Sequence, residues 1–222
     1  MTETKPKARS SNISRRRKAA LDEGTADYLG KRDELIRIAA GIFKAKGYNA
    51  TTFGDIATHT GLDRATLYYY FGSKEEIFQG AIQGALDKNL EAMRSIDADP
   101  NLTTIEKLSA AVRTLMASYH EHYPYLYVYL QQDIATILDR DSKWARDVED
   151  QVRVIETAFA RMIESAINQG HFRSDIPPVL SINSIFGMLN WTHRWYDPEG
   201  RFTPDQISDA FVKIFFDGMK LR

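Results

Sequence analysis

The sequence contains no cysteine among its 222 residues. This absence excludes disulfides, thiolate nucleophiles, cysteine-ligated zinc and redox sensing through a thiol. The chain also lacks an apolar run long enough to cross a bilayer, and its N-terminus lacks the apolar core of a signal peptide. We therefore expect a cytoplasmic protein that has no membrane partner.

Motifs that accompany catalysis are missing as well, since the chain has neither a glycine-rich phosphate loop nor a serine elbow. His120 and His122 lie two residues apart. On a helix this spacing turns the two imidazoles about 200° from each other, so they cannot close on one metal ion. The carboxylates are scattered and form no convincing acid–base pair. We predict that the protein is not an enzyme and that it uses no metal or cofactor.

Helix start and stop signals recur along the chain, whereas few features suggest strands. Capping boxes are predicted at Ser73–Glu76, Thr103–Glu106 and Thr203–Gln206. We predict an all-α fold of about nine helices. Outside residues 51–72, their approximate ranges are 31–46, 73–96, 103–123, 124–138, 143–169, 179–195 and 203–219.

Residues 51–76 are the most informative segment of the chain. Thr52 and Asp55 have the spacing of a capping box at the start of a short helix. Gly61 lies where a tight bend requires a positive φ, and Asp63 is placed to cap a second helix from Arg64 to about residue 71. A helix, a glycine turn and a short second helix form a helix-turn-helix, whose second helix enters the DNA major groove.

The second of these helices carries three consecutive tyrosines, Tyr68, Tyr69 and Tyr70. Their side chains point about 100° apart, so at least one should face outward, where it can meet phosphates or a thymine methyl group. Arg64 lies at the end nearest the base edges, and Lys74 lies where a phosphate would be favoured. The alternative interpretation is an ordinary helical hairpin with aromatic packing.

Residues 32–78 resemble the DNA-binding domain of the TetR family of bacterial repressors, most closely over the run TLYYYFGSKEEIF at positions 66–78. The resemblance implies a homodimer that binds a palindromic operator and is released by a small molecule in the C-terminal domain. Phe53 and Tyr70 depart from the family pattern, which often has a polar residue and a histidine there. The DNA-facing candidates are Thr52, Arg64, Ala65, Thr66, Tyr68, Tyr69, Tyr70 and Lys74.

The predicted domains are a flexible basic arm at 1–30, the helix-turn-helix domain at 31–78, and a helical effector-binding and dimerisation domain at 79–222. Residues 1–20 hold seven basic residues against Glu3 alone, a balance of +6, whereas the whole chain carries −1. The arm either contacts phosphates or the minor groove beside the recognition helix, or it is a solvated tail that adds nonspecific affinity.

Aromatic residues crowd two parts of the C-terminal region. Rings with polar tips suit an effector pocket, although most of these residues are equally compatible with a core. Residues 190–203 are similar to TetR-type regulators of fatty-acid and steroid breakdown, which implies an acyl-coenzyme A effector. A drug-like compound that induces an efflux or detoxification gene is the rival. The candidate pocket residues are Tyr119, Tyr123, Tyr127, Phe159, Met162, Trp191 and Arg194.

The last two helices are unusually apolar for the end of a chain. We predict that they form a four-helix dimer interface with the partner subunit, the alternative being burial within the monomer. A helical protein-interaction module remains the hypothesis of a different class, but it leaves the helix-turn-helix and the basic arm unexplained. The candidate interface residues are Ile182, Ile185, Phe186, Leu189, Ile207, Phe211, Ile214 and Phe215.

Overall fold

The computed structural model describes residues 12–123, 129–130 and 143–220. This part of the chain is all-α, as predicted. The helices are α1 (Asn12–Glu23), α2 (Ala26–Lys46), α3 (Phe53–Thr60), α4 (Arg64–Tyr70), α5 (Lys74–Ala98), α6 (Thr104–Glu121), α7 (Lys143–Asn168), α8 (Pro178–Trp191) and α9 (Pro204–Met219). A 3-10 turn at Thr192–Arg194 follows α8. Most of the helix predicted at 124–138, including Tyr127, lies outside the described residues.

Side-chain caps start the helices where the sequence predicts them. Complete capping boxes join Thr52 to Asp55, Thr103 to Glu106 and Thr203 to Gln206. The box predicted at Ser73–Glu76 forms only in part. Ser73 Oγ accepts from the Glu76 amide at 3.2 Å, but the Glu76 carboxylate accepts from the Gly72 amide at 2.6 Å.

The chain divides into two compact units, with the boundary between Ala81 and Ile82. In the first unit, apolar side chains of α2, α3, α4 and the start of α5 supply the interior. The residues that are fully buried there include Leu35, Ala39, Ile56, Leu67, Phe71 and Ile77.

The N-terminal end differs from the predicted flexible arm, because residues 12–23 form α1, which packs against α4 and α2. Likewise α2 begins at Ala26 and not near Lys31. Thr25 caps it by accepting from the Tyr28 amide at 3.4 Å. Tyr28 is buried, and these tertiary contacts supply the order that the polar local sequence does not predict.

The second unit is built on α6, which packs against α7 and α9, and on α8, which packs against α6, α7 and α9. One buried apolar cluster connects these helices. Among the described residues no strand forms, and an isolated antiparallel bridge joins Phe172 to Lys220.

Half of the residues of the predicted dimer interface belong to the unit's own core. Ile185, Leu189, Ile207 and Phe215 are buried in the apolar cluster, and Ile182, Phe186 and Phe211 are partly buried against it. Ile214 alone among the predicted residues is exposed, at 62%. Apolar periodicity showed that these helices bury a face, and in the structure part of that face packs within the same chain, so the predicted contact with a partner subunit stays a prediction.

Candidate nucleic-acid interface

The turn between α3 and α4 has the geometry that its residues predict. Gly61 has φ 68° and ψ 13°, the left-handed conformation that a glycine adopts without steric cost. Asp63 Oδ1 accepts from the Thr66 amide at 2.7 Å and so starts α4. Leu67 is the one buried residue of α4, which turns the opposite side of this short helix toward solvent.

The solvent-facing side of α4 carries Arg64, Ala65 and Tyr68, all exposed. These three residues, together with Thr52 at the exposed start of α3, form what we call the α4 outer face. Thr66 is half-buried. This arrangement is suited to contact with base edges and phosphates, since a recognition helix meets bases through its N-terminal residues.

Arg64 folds back over the start of α3. A Cβ atom added to Gly54 would lie 2.6 Å from an Arg64 terminal nitrogen, which is closer than such atoms approach. The guanidinium can occupy this place because residue 54 has no side chain. Gly54 therefore takes part in orienting the only cation of α4, a role that the sequence did not suggest.

Phe53 stacks on Tyr68, with ring centroids 4.5 Å apart and an interplanar angle of 28°. Tyr68 remains 41% exposed, so the stack fixes its ring without covering it. From the sequence alone, Phe53 is only a departure from the family pattern. In the structure it has a role, since its ring holds the Tyr68 ring in place.

Tyr69 and Tyr70 are half-buried and pack on Tyr28 of α2. The Tyr28 ring stacks on Tyr70 at 5.1 Å and meets Tyr69 edge-on at 5.4 Å, and its hydroxyl donates to the Tyr69 carbonyl. Burial raises the pKa of Tyr28. The two tyrosines therefore support α4 from within, and their predicted DNA contacts are limited to the parts of the rings that remain accessible.

Lys74 uses two of its three ammonium donors on the connection between α2 and α3. Its Nζ donates to the carbonyls of Tyr48 at 2.8 Å and Thr51 at 2.9 Å, and it lies 4.2 Å from the Tyr48 ring centroid. Desolvation lowers the pKa of Lys74. The side chain thus has a structural role, and its phosphate contact stays a prediction that depends on the third donor.

The start of α3 is held by a charged hydrogen-bond network. Asp55 Oδ2 accepts from Lys46 Nζ at 2.7 Å and from the Thr52 amide at 2.7 Å. These bonds, the one from Lys46 foremost, hold the pKa of Asp55 well below its usual range. Asp55 stays ionised at neutral pH, where its charge suits the helix N-terminus.

The predicted effector residues do not form one group. Phe159 and Met162 are buried in the core, where Phe159 packs on Phe186 at 5.1 Å. Trp191 and Arg194 lie on the surface, with the Arg194 guanidinium 5.6 Å from the Trp191 ring centroid. They are therefore separated by burial from Phe159, and their contact with an effector stays a prediction.

A polar and aromatic group connects the C-terminal end of α6 with the end of α8 and the segment that follows it. The Tyr119 hydroxyl donates to Asn190 Oδ1, and burial raises the pKa of Tyr119. His120 Nδ1 lies 2.6 Å from the Tyr196 hydroxyl, and the Tyr123 ring meets Tyr196 edge-on at 6.1 Å. We call these five residues the α6 aromatic cluster. Asn190 was not among the predicted pocket residues.

None of the helices in the described part of the chain is both long and apolar enough to cross a membrane. Within the same residues, no group of His, Asp or Glu side chains is arranged to hold a metal ion.

Residues 35–81 match the family model for bacterial regulatory proteins of the tetR family, and residues 101–219 match that of the tetracyclin repressor-like C-terminal domain. The chain belongs to the TetR family. The first match spans the helix-turn-helix and the second spans α6 to α9. This TetR-family chain is accordingly a DNA-binding transcriptional repressor and not an enzyme.

Known TetR-family proteins match over most of its length. The HTH-type transcriptional repressor KstR2 of Mycobacterium tuberculosis is 27% identical over 199 residues, covering 90% of this chain and 98% of that protein. The structure of this ketosteroid transcriptional regulator aligns with a TM-score of 0.80 at 26% identity, covering 86% of this chain and 96% of the other.

Two more solved structures extend the comparison. The TetR-family regulator PfmR of Thermus thermophilus aligns with a TM-score of 0.72 at 27% identity, covering 82% of this chain and 97% of PfmR. AibR, solved with isovaleryl coenzyme A and operator DNA, aligns with a TM-score of 0.69, covering 83% of this chain and 97% of AibR. At 21% identity, AibR shows a common fold alone.

Proposed function

We propose that this repressor binds a palindromic operator as a homodimer and reads base edges with the α4 outer face. The observation that carries this proposal is the division of α4 into a buried side at Leu67 and an exposed side at Arg64, Ala65 and Tyr68. Arg64 is suited to pair with a guanine, and the ring of Tyr68 is suited to meet a thymine methyl group. Thr52, which is exposed at the start of α3, is suited to meet a phosphate.

The partner subunit is proposed to pack on an exposed apolar surface of α8 and α9. Leu180, Gly187 and Trp191 follow one side of α8, while Gly218 and Ile214 follow one side of α9. Leu180, Trp191 and Ile214 are each more than half exposed, and a Cβ atom added to either glycine meets nothing within 4 Å. An exposed apolar surface with room for close helix approach fits an isologous contact.

The proposed effector is a small hydrophobic molecule, with an acyl-coenzyme A thioester as the leading candidate. Support comes from residues 190–203, which resemble the corresponding segment of regulators of fatty-acid and steroid breakdown. KstR2, which matches over most of the chain, is itself named as a ketosteroid regulator. The α6 aromatic cluster has buried and half-buried tyrosine rings with polar tips beside this segment, a combination that suits a ligand with an apolar body and a few polar groups.

We propose that effector binding causes release of the DNA through α5, because the boundary between the two units falls within this helix. An effector that favours a different α5 position would change the separation of the two recognition helices in the dimer. Operator affinity falls when that separation no longer matches successive major grooves. A coupling of about 1–3 kcal/mol, or about 5–150-fold in affinity, is typical of such systems.

The test is a fluorescence-anisotropy titration of the full chain on DNA from its own upstream region and on a scrambled control, with and without long-chain acyl-coenzyme A. We expect specific binding that the thioester weakens. Specific binding that is indifferent to thioesters would retain the repressor and exclude the acyl-coenzyme A effector. Release by a drug-like compound would instead favour control of an efflux or detoxification gene.

A variant separates effector recognition from DNA recognition. Tyr119→Phe removes the hydroxyl that bonds Asn190 and keeps the ring, so we expect operator affinity to persist while the thioester response weakens. Thr114→Ala, another change of a half-buried residue on α6, serves as the control. An unchanged response in Tyr119→Phe would argue against the α6 aromatic cluster as the effector site.

A further inference from the structure

Helix α1 precedes residues 35–81, which match the family model, so the family match assigns it no role. No residue of this helix is buried. Its less exposed positions have the spacing of one helical side and end at the residue that follows the helix. They are Ser14, Arg17, Ala20, Leu21 and Gly24. Its position on the first unit therefore depends on a few specific contacts of that side.

Arg17 supplies the most distinctive of these contacts. A Cβ atom added to Gly72 would lie 2.6 Å from one Arg17 terminal nitrogen and 2.7 Å from the other. The guanidinium thus lies over the turn that directly follows α4, in space that the absence of a side chain at residue 72 leaves open. An Arg17 terminal nitrogen also lies 3.7 Å from the Glu76 carboxylate.

Glu76 connects this contact to the rest of the unit. Its carboxylate accepts from the Gly72 amide at 2.6 Å and lies 3.5 Å from Arg32 of α2. The Arg32 guanidinium in turn lies 4.5 Å from the Phe71 ring centroid. Helix α1 is therefore attached to the corner between α4 and α5, beside the recognition helix.

The exposed side of α1 carries an uncommon charge distribution. Arg15, Arg16 and Lys18 are exposed near its N-terminus, whereas Asp22 and Glu23 occupy its last turn. The helix dipole favours the opposite order, so this placement does not serve the stability of the free helix. A polyanion near the first turns would relieve the unfavourable charge arrangement.

We propose that α1 is a docked phosphate-binding helix, in which Arg17 fixes the helix beside α4 and Arg15, Arg16 and Lys18 contact the DNA backbone flanking the bases that α4 reads. The inference rests on the proposed DNA recognition by α4 and adds a second contact element to it. Charge complementarity with phosphates and continuity with the recognition helix identify duplex DNA as the partner. Such contacts raise affinity for any sequence and carry no base preference.

The first experiment measures the slope of log affinity against log salt concentration for the full chain on operator and on unrelated duplex DNA. We expect Arg15→Ala/Arg16→Ala/Lys18→Ala to reduce the magnitude of the slope by about 0.9 for each lost phosphate contact, equally on both DNAs. A triple variant at exposed positions of the second unit, Arg94→Ala/Lys143→Ala/Arg153→Ala, removes the same charge and should leave the slope unchanged. Equal slopes for wild type and the α1 variant would overturn the proposal.

A neutral substitution tests the docking itself. Gly72→Ala changes no charge, but its Cβ would displace the Arg17 guanidinium, so we expect the salt slope to fall although all the exposed cations remain. Gly84→Ala, at a helical glycine with nothing within 4 Å, is the matched control. A reduced slope in the triple variant with a wild-type slope in Gly72→Ala would overturn docking, because the cations would then act as an unattached tail.

The outcome for wild type separates this inference from the proposed function. Loss of any operator preference in wild type would contradict DNA recognition by α4 as a whole. Retained operator preference with no effect of the α1 variants would contradict the phosphate-binding helix alone.

Discussion

The two units of this repressor are organised by different kinds of contact. In the first unit, polar side chains with backbone partners place the functional surface, as Asp63 does at the start of α4 and Lys74 does at the connection before α3. In the second unit, one apolar cluster joins five helices, α5 to α9. The Asp63 carboxylate accepts from an amide only three residues away, so the start of α4 can be predicted from local sequence, whereas an apolar helix face has many possible partners. The proposed DNA-binding surface is therefore easier to predict from the sequence than the proposed dimer surface.

The largest expected effect tests the dependence of the second unit on its core. Phe159→Ala removes a fully buried ring that packs on Phe186, and we expect it to lower the free energy of unfolding by about 3–5 kcal/mol. Val154→Ala, at an exposed position of the same helix, should change it by less than about 0.5 kcal/mol. Urea unfolding followed by circular dichroism measures both. A similar loss of unfolding free energy in the two variants would contradict the expectation that buried and exposed positions of α7 differ in their contribution to stability.

A second prediction concerns the Arg64 position. Arg64→Ala should weaken operator binding by about 1–3 kcal/mol and relax base preference, while the free energy of unfolding changes little. Gly54→Ala should have a smaller effect in the same direction, because its Cβ displaces the guanidinium. In the double variant the two losses should not add, since both act on one side chain. Gly41→Ala, at a glycine with nothing within 4 Å, is the control in anisotropy titrations.

Matched capping residues compare the two units directly. Thr52 and Thr103 each form a complete capping box, so Thr52→Ala and Thr103→Ala should each destabilise the chain by about 1 kcal/mol. Only Thr52→Ala should also weaken operator binding, because Thr52 lies on the α4 outer face. Thermal unfolding measures the stability of each variant, and anisotropy titrations on the same preparations measure its operator affinity. An equal loss of operator affinity in both variants would mean that the cap acts through stability alone.

The smallest expected effect is a dependence on pH in the second unit. Burial lowers the pKa of His122, so the folded chain binds a proton there less readily than the unfolded chain. This contribution to stability is complete above the ordinary histidine pKa of about 6.5 and is progressively lost as the pH falls below it. His122→Asn should flatten the decline in melting temperature between pH 7 and 5. A parallel decline in wild type and variant would assign the pH dependence to other groups.

The helix-turn-helix was predictable because its signals are local. Thr52 with Asp55, Gly61 and Asp63 each act within three or four residues, and each adopts the predicted geometry. The order of α1 was not predictable, since Arg17 finds Gly72 and Glu76 only after the chain has folded. The same applies to the support that Tyr28 gives Tyr69 and Tyr70, which are far from it in sequence.

The second unit illustrates a different limit of prediction from the sequence. The spacing of Ile185 and Leu189 predicts a buried face of α8, but periodicity does not reveal whether the neighbour is in the same chain. In the structure, these residues face their own core, and the exposed apolar residues Leu180 and Trp191 were not selected as interface residues. Similarly, a local crowd of aromatic residues did not reveal that Trp191 lies on the surface while Phe159 lies in the interior.

The division of α4 has a consequence for the evolution of operators. Leu67 and the Asp63 cap keep this helix in place, and neither belongs to the outer face formed with Arg64, Ala65 and Tyr68. Substitutions at exposed positions of a helix usually change stability little. A lineage can therefore exchange the side chains that meet DNA while its chain continues to fold, and new target sites become accessible by single mutations.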